Sequence, residues 1–274
     1  MKKIKINDFH IGGDEPLFFI MGPCVIENER MTLDALEALL RITSDAGVNF
    51  IFKSSYDKAN RTSVKSFRGP GIKNGLKILK KARKEFGVPI LTDVHCTEEI
   101  KEAAAVADII QIPAFLCRQT DMLVEAGRSG RVVNIKKGQF MAPHDMRHSI
   151  AKVESAGSEK ITVTERGSSF GYNNLVVDFR GLPQMREFGF PVVFDATHSV
   201  QTPSGQGSCS GGDRGMARCL ARAAVAVGVD GVFMEVHRDP DKALCDGPNS
   251  IALKDIKAII EELIEIDVRV KAVL

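Results

Sequence analysis

Short runs of apolar, β-branched and aromatic residues recur along the chain. Each is followed by a polar turn and then by a stretch whose apolar positions step by three and four. The runs are LFFIMGPC (17–24), NFIFKSS (49–55), PILTDV (89–94), DIIQIPA (108–114), VVNIKK (132–137), ITVTER (161–166), PVVFDATH (191–198) and GVFMEVH (231–237). They are apolar on both faces, as parallel strands covered by helices must be. Between them ERMTLDALEALLRITSDAG, NGLKILKKARKEFG, EEIKEAAAVA, TDMLVEAGRSG and RGMARCLARAAVAVG carry helical periodicity, and Gly often closes them. Eight strand–helix units predict an α/β fold, a closed (β/α)8 TIM barrel forming one domain over residues 1–274. The competing architecture is an open doubly wound sheet, but no G-x-G-x-x-G follows the first run, which removes its usual dinucleotide-binding form. Ahead of the first strand, within residues 1–16, KKIKINDFHIGG predicts a short β-hairpin closing the barrel bottom.

Composition narrows the picture modestly. With 44% hydrophobic and 26% charged residues the chain matches an ordinary globular enzyme, and 274 residues suffice for a sizeable core. A net charge of +2 gives no general attraction to nucleic acid or an anionic membrane, so the basic residues matter by position. No stretch approaches the roughly 18 apolar residues of a membrane span. The opening MKKIKINDFHIGGDEP is basic but lacks the apolar run of a signal peptide. Six cysteines are too scattered for a disulfide framework and are expected as reduced, half-buried thiols in a cytoplasmic protein.

The chemistry lies where the strands end, the face on which such barrels place their sites. Cys24, Lys53, Ser55, Asp93, Gln111, Lys136, Arg166, Asp195, His198, Glu235 and His237 all close otherwise apolar runs. Lys53, Lys58, Arg61, Arg118, Lys136 and Arg166 are cations at or just after strand ends, and crowding them together repels unless polyanions bind. The implied ligand carries phosphate groups and a carboxylate; the Gly167-Ser168-Ser169 turn offers further backbone N–H groups to a phosphate. Cys24, His198, Glu235 and Asp246 are a thiol, an imidazole and two carboxylates from separate strand ends or loops. Together they suit an open catalytic site for Zn, Fe(II), Mn or Co without selecting among them; singly each has a commonplace structural role. The loop TPSGQGSCSGGDRG (202–215) is long enough to serve as a lid or to be plain disorder. Two other readings stay open: a Schiff-base aldolase with Lys136 as the amine, and a non-catalytic phosphosugar-binding protein on a barrel scaffold.

Taken together, GPCVIE, FKSSYDKANRTS with SFRGPG, PILTDVH, IIQIPAFLCRQTD, VNIKKGQF, ERGSSFGYNNLVVD, FDATHSVQ and CDGP resemble the 3-deoxy-D-manno-octulosonate 8-phosphate (Kdo-8-phosphate) synthase family, colinearly from about residue 17 to 255. The resemblance implies a (β/α)8 barrel, usually a homotetramer. It also implies condensation of phosphoenolpyruvate with D-arabinose 5-phosphate and water, a transferase step supplying the core of bacterial lipopolysaccharide. It implies the metal-dependent branch, because Cys24 stands where the independent branch has Asn, and it makes Cys24, His198, Glu235 and Asp246 the ligands of a divalent metal ion. By the same carry-over Lys53, Ser55, Lys58, Gln111, Ala114, Lys136 and Arg166 resemble the phosphoenolpyruvate shell. Asn60, Arg61 and Ser63 fall in the sugar-phosphate region, and Arg118 resembles an arginine reaching a neighbouring subunit's site. Catalytic roles are implied for Lys58, Asp93, Lys136, His198 and Asp246. One departure is Arg238, where the family more often has Pro. The alternative function is 3-deoxy-7-phosphoheptulonate synthase, which uses the same barrel and donor with erythrose 4-phosphate and typically reads Lys-Pro-Arg-Thr where this chain reads Lys58-Ala59-Asn60-Arg61-Thr62, a difference that favours the longer sugar.

Overall fold

A computed structural model describes residues 1–203 and 211–272. Eight parallel strands run β1 (Phe18–Gly22), β2 (Asn49–Lys53), β3 (Ile90–Asp93), β4 (Ile109–Ile112), β5 (Val132–Lys136), β6 (Ile161–Glu165), β7 (Val192–Asp195) and β8 (Gly231–His237). Each pairs with the next in order. Pairing of β7 with β8 (Val193 opposite Gly231) and of β8 with β1 (Gly231 opposite Phe18) closes the barrel. The open sheet is thereby excluded.

The helices are α1 (Glu29–Asp45), α2 (Gly71–Phe86), α3 (Thr97–Ala104), α4 (Thr120–Arg128), α5 (Met146–Glu154), α6 (Gly181–Arg186), α7 (Arg214–Val227) and α8 (Ile256–Lys271). Five match the periodic stretches predicted from sequence; α5, α6 and α8 complete the ring. Local chemistry sets their ends: the Asn28 side chain accepts from the Met31 N–H at the start of α1, and Gly87 closes α2 in the left-handed conformation.

The period of two along each strand divides the core. Phe19, Met21, Phe50, Phe52, Ile90, Ile110 and Val133 face outward onto the helices and join one large cluster. Phe18, Ile20, Ile51, Leu91, Ile109, Val132, Val193 and Phe233 face inward and form a second. The predicted hairpin is present, Ile4–Ile6 against Phe9–Ile11 antiparallel, and Ile4, Ile6 and Ile11 complete that inner cluster from below. Sealing the bottom with apolar side chains leaves only the other end of the barrel for polar chemistry. Among the described residues no helix is long and apolar enough to cross a membrane.

Candidate active site

Counting two residues on from the inner apolar layer gives the site. Lys53 follows Ile51, Asp93 follows Leu91, Gln111 follows Ile109, Asp195 follows Val193, and Glu235 follows Phe233; Lys136 lies two steps beyond this layer on its strand. Strand alternation thus carries each polar group onto the inward face at the C-terminal rim. All six are buried. Above them opens a cavity of about 510 Å³ whose walls include Lys53, Lys58, Asn60, Arg61, Asp93, Gln111, Ala114, Lys136, Arg166, His198 and Asp246.

The cations are partnered by carboxylates. Lys53 Nζ donates to the Cys24 carbonyl oxygen and to Ser55 Oγ, each at 3.0 Å, and stands 3.5 Å from Glu235 Oε1. Lys58 Nζ is 3.7 Å from the same oxygen. Ser55 Oγ in turn donates to Asp93. Lys136 Nζ donates to Asp195, lies 3.4 Å from His198 Nδ1 and sits 3.9 Å over the Phe233 ring. Repulsion among the lysines is therefore relieved by acids beneath them, so a polyanion is not the sole condition for crowding them. Among the described residues Arg166 Nη1 is buried without a partner, while Nη2 donates to Gln201 Oε1 at 3.0 Å. The Gly167 turn works differently from its sequence expectation: Glu165 Oε1 accepts from the Arg166 and Gly167 N–H groups at 2.9 and 2.6 Å, and Ser169 N–H donates to the Gln139 carbonyl. Those donors are already spent on the protein.

Ionisation follows from burial set against these partners. Burial disfavours the Lys136 ammonium; Asp195 opposes that effect, but Lys53 and Arg166 reinforce it, and the group ends below the ordinary lysine range. Burial works against the Glu235 carboxylate, yet His198, Lys58, Lys53 and Lys136 outweigh it and bring the group down to about 2. Asp93 is likewise held low, by Lys53, Lys58 and His95 against burial. For Cys24, burial comes first and Cys245 and Glu235 add to it, pushing the thiol well above its ordinary value.

A second cluster lies on the β8 and β1 side. Asp195 Oδ2 is 2.7 Å from His198 Nδ1, which turns Nε2 toward Glu235 Oε1 at 3.6 Å and Asp246 Oδ2 at 3.9 Å. Cys24 Sγ lies 3.4 Å from Asp246 Oδ2. Among the described residues Glu235 Oε2 is buried with no hydrogen-bond partner, and Asp246 holds a positive φ of 49°. A thiol, an imidazole and two carboxylates converging round an orphaned carboxylate oxygen fit a borderline divalent cation better than a purely structural network.

A family model described as DAHP synthetase I family matches residues 1–272. The chain belongs to that family. Within it, a 2-dehydro-3-deoxyphosphooctonate aldolase of Geobacter sulfurreducens is 60% identical over 270 residues, covering 98% of this chain and 99% of the relative. Proteins of the same name from Geotalea daltonii (58% over 271 residues, 99% and 100% covered) and Desulfatibacillum aliphaticivorans (60% over 260 residues, 95% and 95% covered) are similar throughout. These names favour the octonate branch of the family and not the phosphoheptulonate alternative.

Other placements differ from one another. Ser63 and Arg118 are not among the residues lining the cavity; Arg118 is exposed, its carbonyl accepting from Lys152 Nζ. His237 is not among the residues lining the cavity and turns toward the Asp239 carbonyl and Glu27. Residues 204–210 of the loop 202–215 lie outside the described residues, while Gln201–Thr202 pairs with Gly211–Gly212 at its base. Sequence reasoning passed over His95, Gln139, Gln201 and Cys245, all lining the cavity. His95 stacks edge-on to Tyr56 and bonds Asp93 and Glu99. Its signal was its position two residues beyond a strand-end aspartate.

Proposed function

We propose that the chain condenses phosphoenolpyruvate with D-arabinose 5-phosphate and water, releasing 3-deoxy-D-manno-octulosonate 8-phosphate and inorganic phosphate. The observation that carries the reading is one cavity lined by Lys53, Lys58, Arg61, Lys136 and Arg166 beside two donor triads, Cys24–Cys245–Asp246 and His198–Glu235–Asp246, that share Asp246.

Lys53, Lys136 and Arg166, with Gln111 and Ala114, hold the carboxylate and phosphate of phosphoenolpyruvate over the barrel axis; Arg166 Nη1, without a partner among the described residues, receives an anionic oxygen. Asn60 and Arg61, on the loop after β2, receive the sugar phosphate, so C3 of the enol faces the aldehyde. Fixing two anions in one geometry supplies much of the acceleration. The C3–C1 bond forms, water adds at C2, and the C2–O bond to phosphate breaks. Lys136 Nζ, donating to Asp195 beside His198 and weakened as a base by burial, is the group placed to give up and regain a proton during water addition. The ammonium and guanidinium groups steady the oxyanions as they develop. Cys24, His198, Glu235 and Asp246 would hold a divalent metal, which supplies Lewis acidity toward water or the aldehyde oxygen. The exposed Arg118 reaches a neighbouring copy's site in a homotetramer, and the product feeds lipopolysaccharide core synthesis.

A phosphate-release assay with arabinose 5-phosphate and with erythrose 4-phosphate, before and after chelation and metal replacement, tests this. Turnover is expected with the five-carbon sugar and to depend on metal; preference for the four-carbon sugar overturns the substrate, and full activity of the metal-free protein overturns the metal. Cys24→Asn is expected to retain some activity without metal.

A further inference from the structure

The donor atoms around the candidate metal position form two overlapping triads. Cys24, Cys245 and Asp246 each offer one within 4.8 Å of the others, and so do His198, Glu235 and Asp246. Asp246 belongs to both. The four-residue ligand set thus omits a sulfur that is as well placed as the one it includes. We propose that Cys245, on the loop between β8 and α8, is a fifth donor to the bound metal, giving the site two sulfur ligands in place of one.

Cys24 and Cys245 come from opposite ends of the chain, yet their sulfurs lie 3.0 Å apart, and both side chains are buried. Two sulfurs on one five-coordinate ion with bonds of about 2.3 Å stand roughly 3.3–4.0 Å apart, so this pair opens by about 1 Å or less to share a cation. Cys245 is adjacent in sequence to Asp246, and the positive φ at Asp246 turns the chain so that both side chains reach one cluster. On its outer side Cys245 Sγ accepts from Arg61 Nη1 at 2.6 Å, and the same Nη1 is 3.9 Å from Asp246 Oδ1. Arg61 therefore fixes the sulfur from the cavity side, as an outer partner of a ligand does. Two soft donors bias the site toward Zn, Co(II) and Fe(II) and against Mg.

The inference rests on the metal reading, and the test separates the two. Zinc-loaded wild-type protein is studied by X-ray absorption fine structure, which counts sulfur neighbours without any substitution. Two sulfurs support the proposal; one sulfur overturns it and leaves the metal intact; failure to take up zinc overturns both. In parallel, Co(II) is titrated into wild type, Cys245→Ser and Cys24→Ser, each checked for folding by circular dichroism. Each variant is expected to lose about half of the sulfur-to-cobalt charge-transfer absorbance. An undiminished band in Cys245→Ser, with the whole band lost in Cys24→Ser, would falsify the fifth donor.

Discussion

Asp195 is wholly buried between the Lys136 ammonium and the His198 ring. By taking Nδ1 of His198 it settles which ring nitrogen faces Glu235 and Asp246, the usual task of a carboxylate behind a metal-ligating imidazole. Asp195→Asn is expected to cost about 10–100-fold in metal affinity or kcat/KM, read by metal titration and steady-state kinetics. Lys136 carries a pH prediction. Its ammonium is held below the ordinary lysine range, so its charge is lost at lower pH than an exposed lysine's. KM for phosphoenolpyruvate should therefore rise on the alkaline side earlier than an ordinary lysine would dictate. In Lys136→Arg, which stays charged throughout, that limb should flatten; an identical alkaline rise in both proteins would contradict the assignment. These roles were partly legible, because charged residues ending apolar runs are conspicuous. Cys245 was not, since a cysteine in a loop reads as a plain thiol until its distance to Cys24 is known.

At the scale of elements, α2 is held against the loop after β2 through Gly75. A Cβ there would lie 2.2 Å from Tyr56 Cβ. Tyr56 is fully buried, and its hydroxyl donates to Glu99 Oε2, the atom that also accepts from the His95 N–H. Gly75→Ala should destabilise the protein by roughly 1–3 kcal/mol, as overpacking does, and should weaken substrate binding by disturbing His95. Thermal unfolding and KM measured together check both effects; an unchanged melting temperature would show that the helix moves freely off Tyr56. The strands were legible because runs of Val, Ile and Phe fall between Gly, Pro and polar turns. The short α6 was not, as six residues including Pro183 carry no periodicity of their own.

For the molecule as a whole, function and stability sit at opposite ends. The hairpin inserts Ile4, Ile6 and Ile11 beneath the inner strand layer, while every cavity residue named above belongs to the opposite rim. Ile11, with no exposed surface, should cost about 2–5 kcal/mol on truncation to alanine. At a temperature where the variant stays folded, kcat/KM should be unchanged. A large kinetic loss there would mean that the bottom of the barrel is mechanically coupled to the site.

The order of apolar runs and helical stretches was enough to determine eight strands, five of the helices and the closing hairpin, because period and turn chemistry are local properties of the chain; the family was legible in the polar motifs at the strand ends. Which side chains meet was settled only by closing the barrel. Cys24 and Cys245 are separated by 221 positions, yet their sulfurs touch. The acids beneath the lysines likewise depend on distances and directions set by closure, which no spacing along the chain encodes.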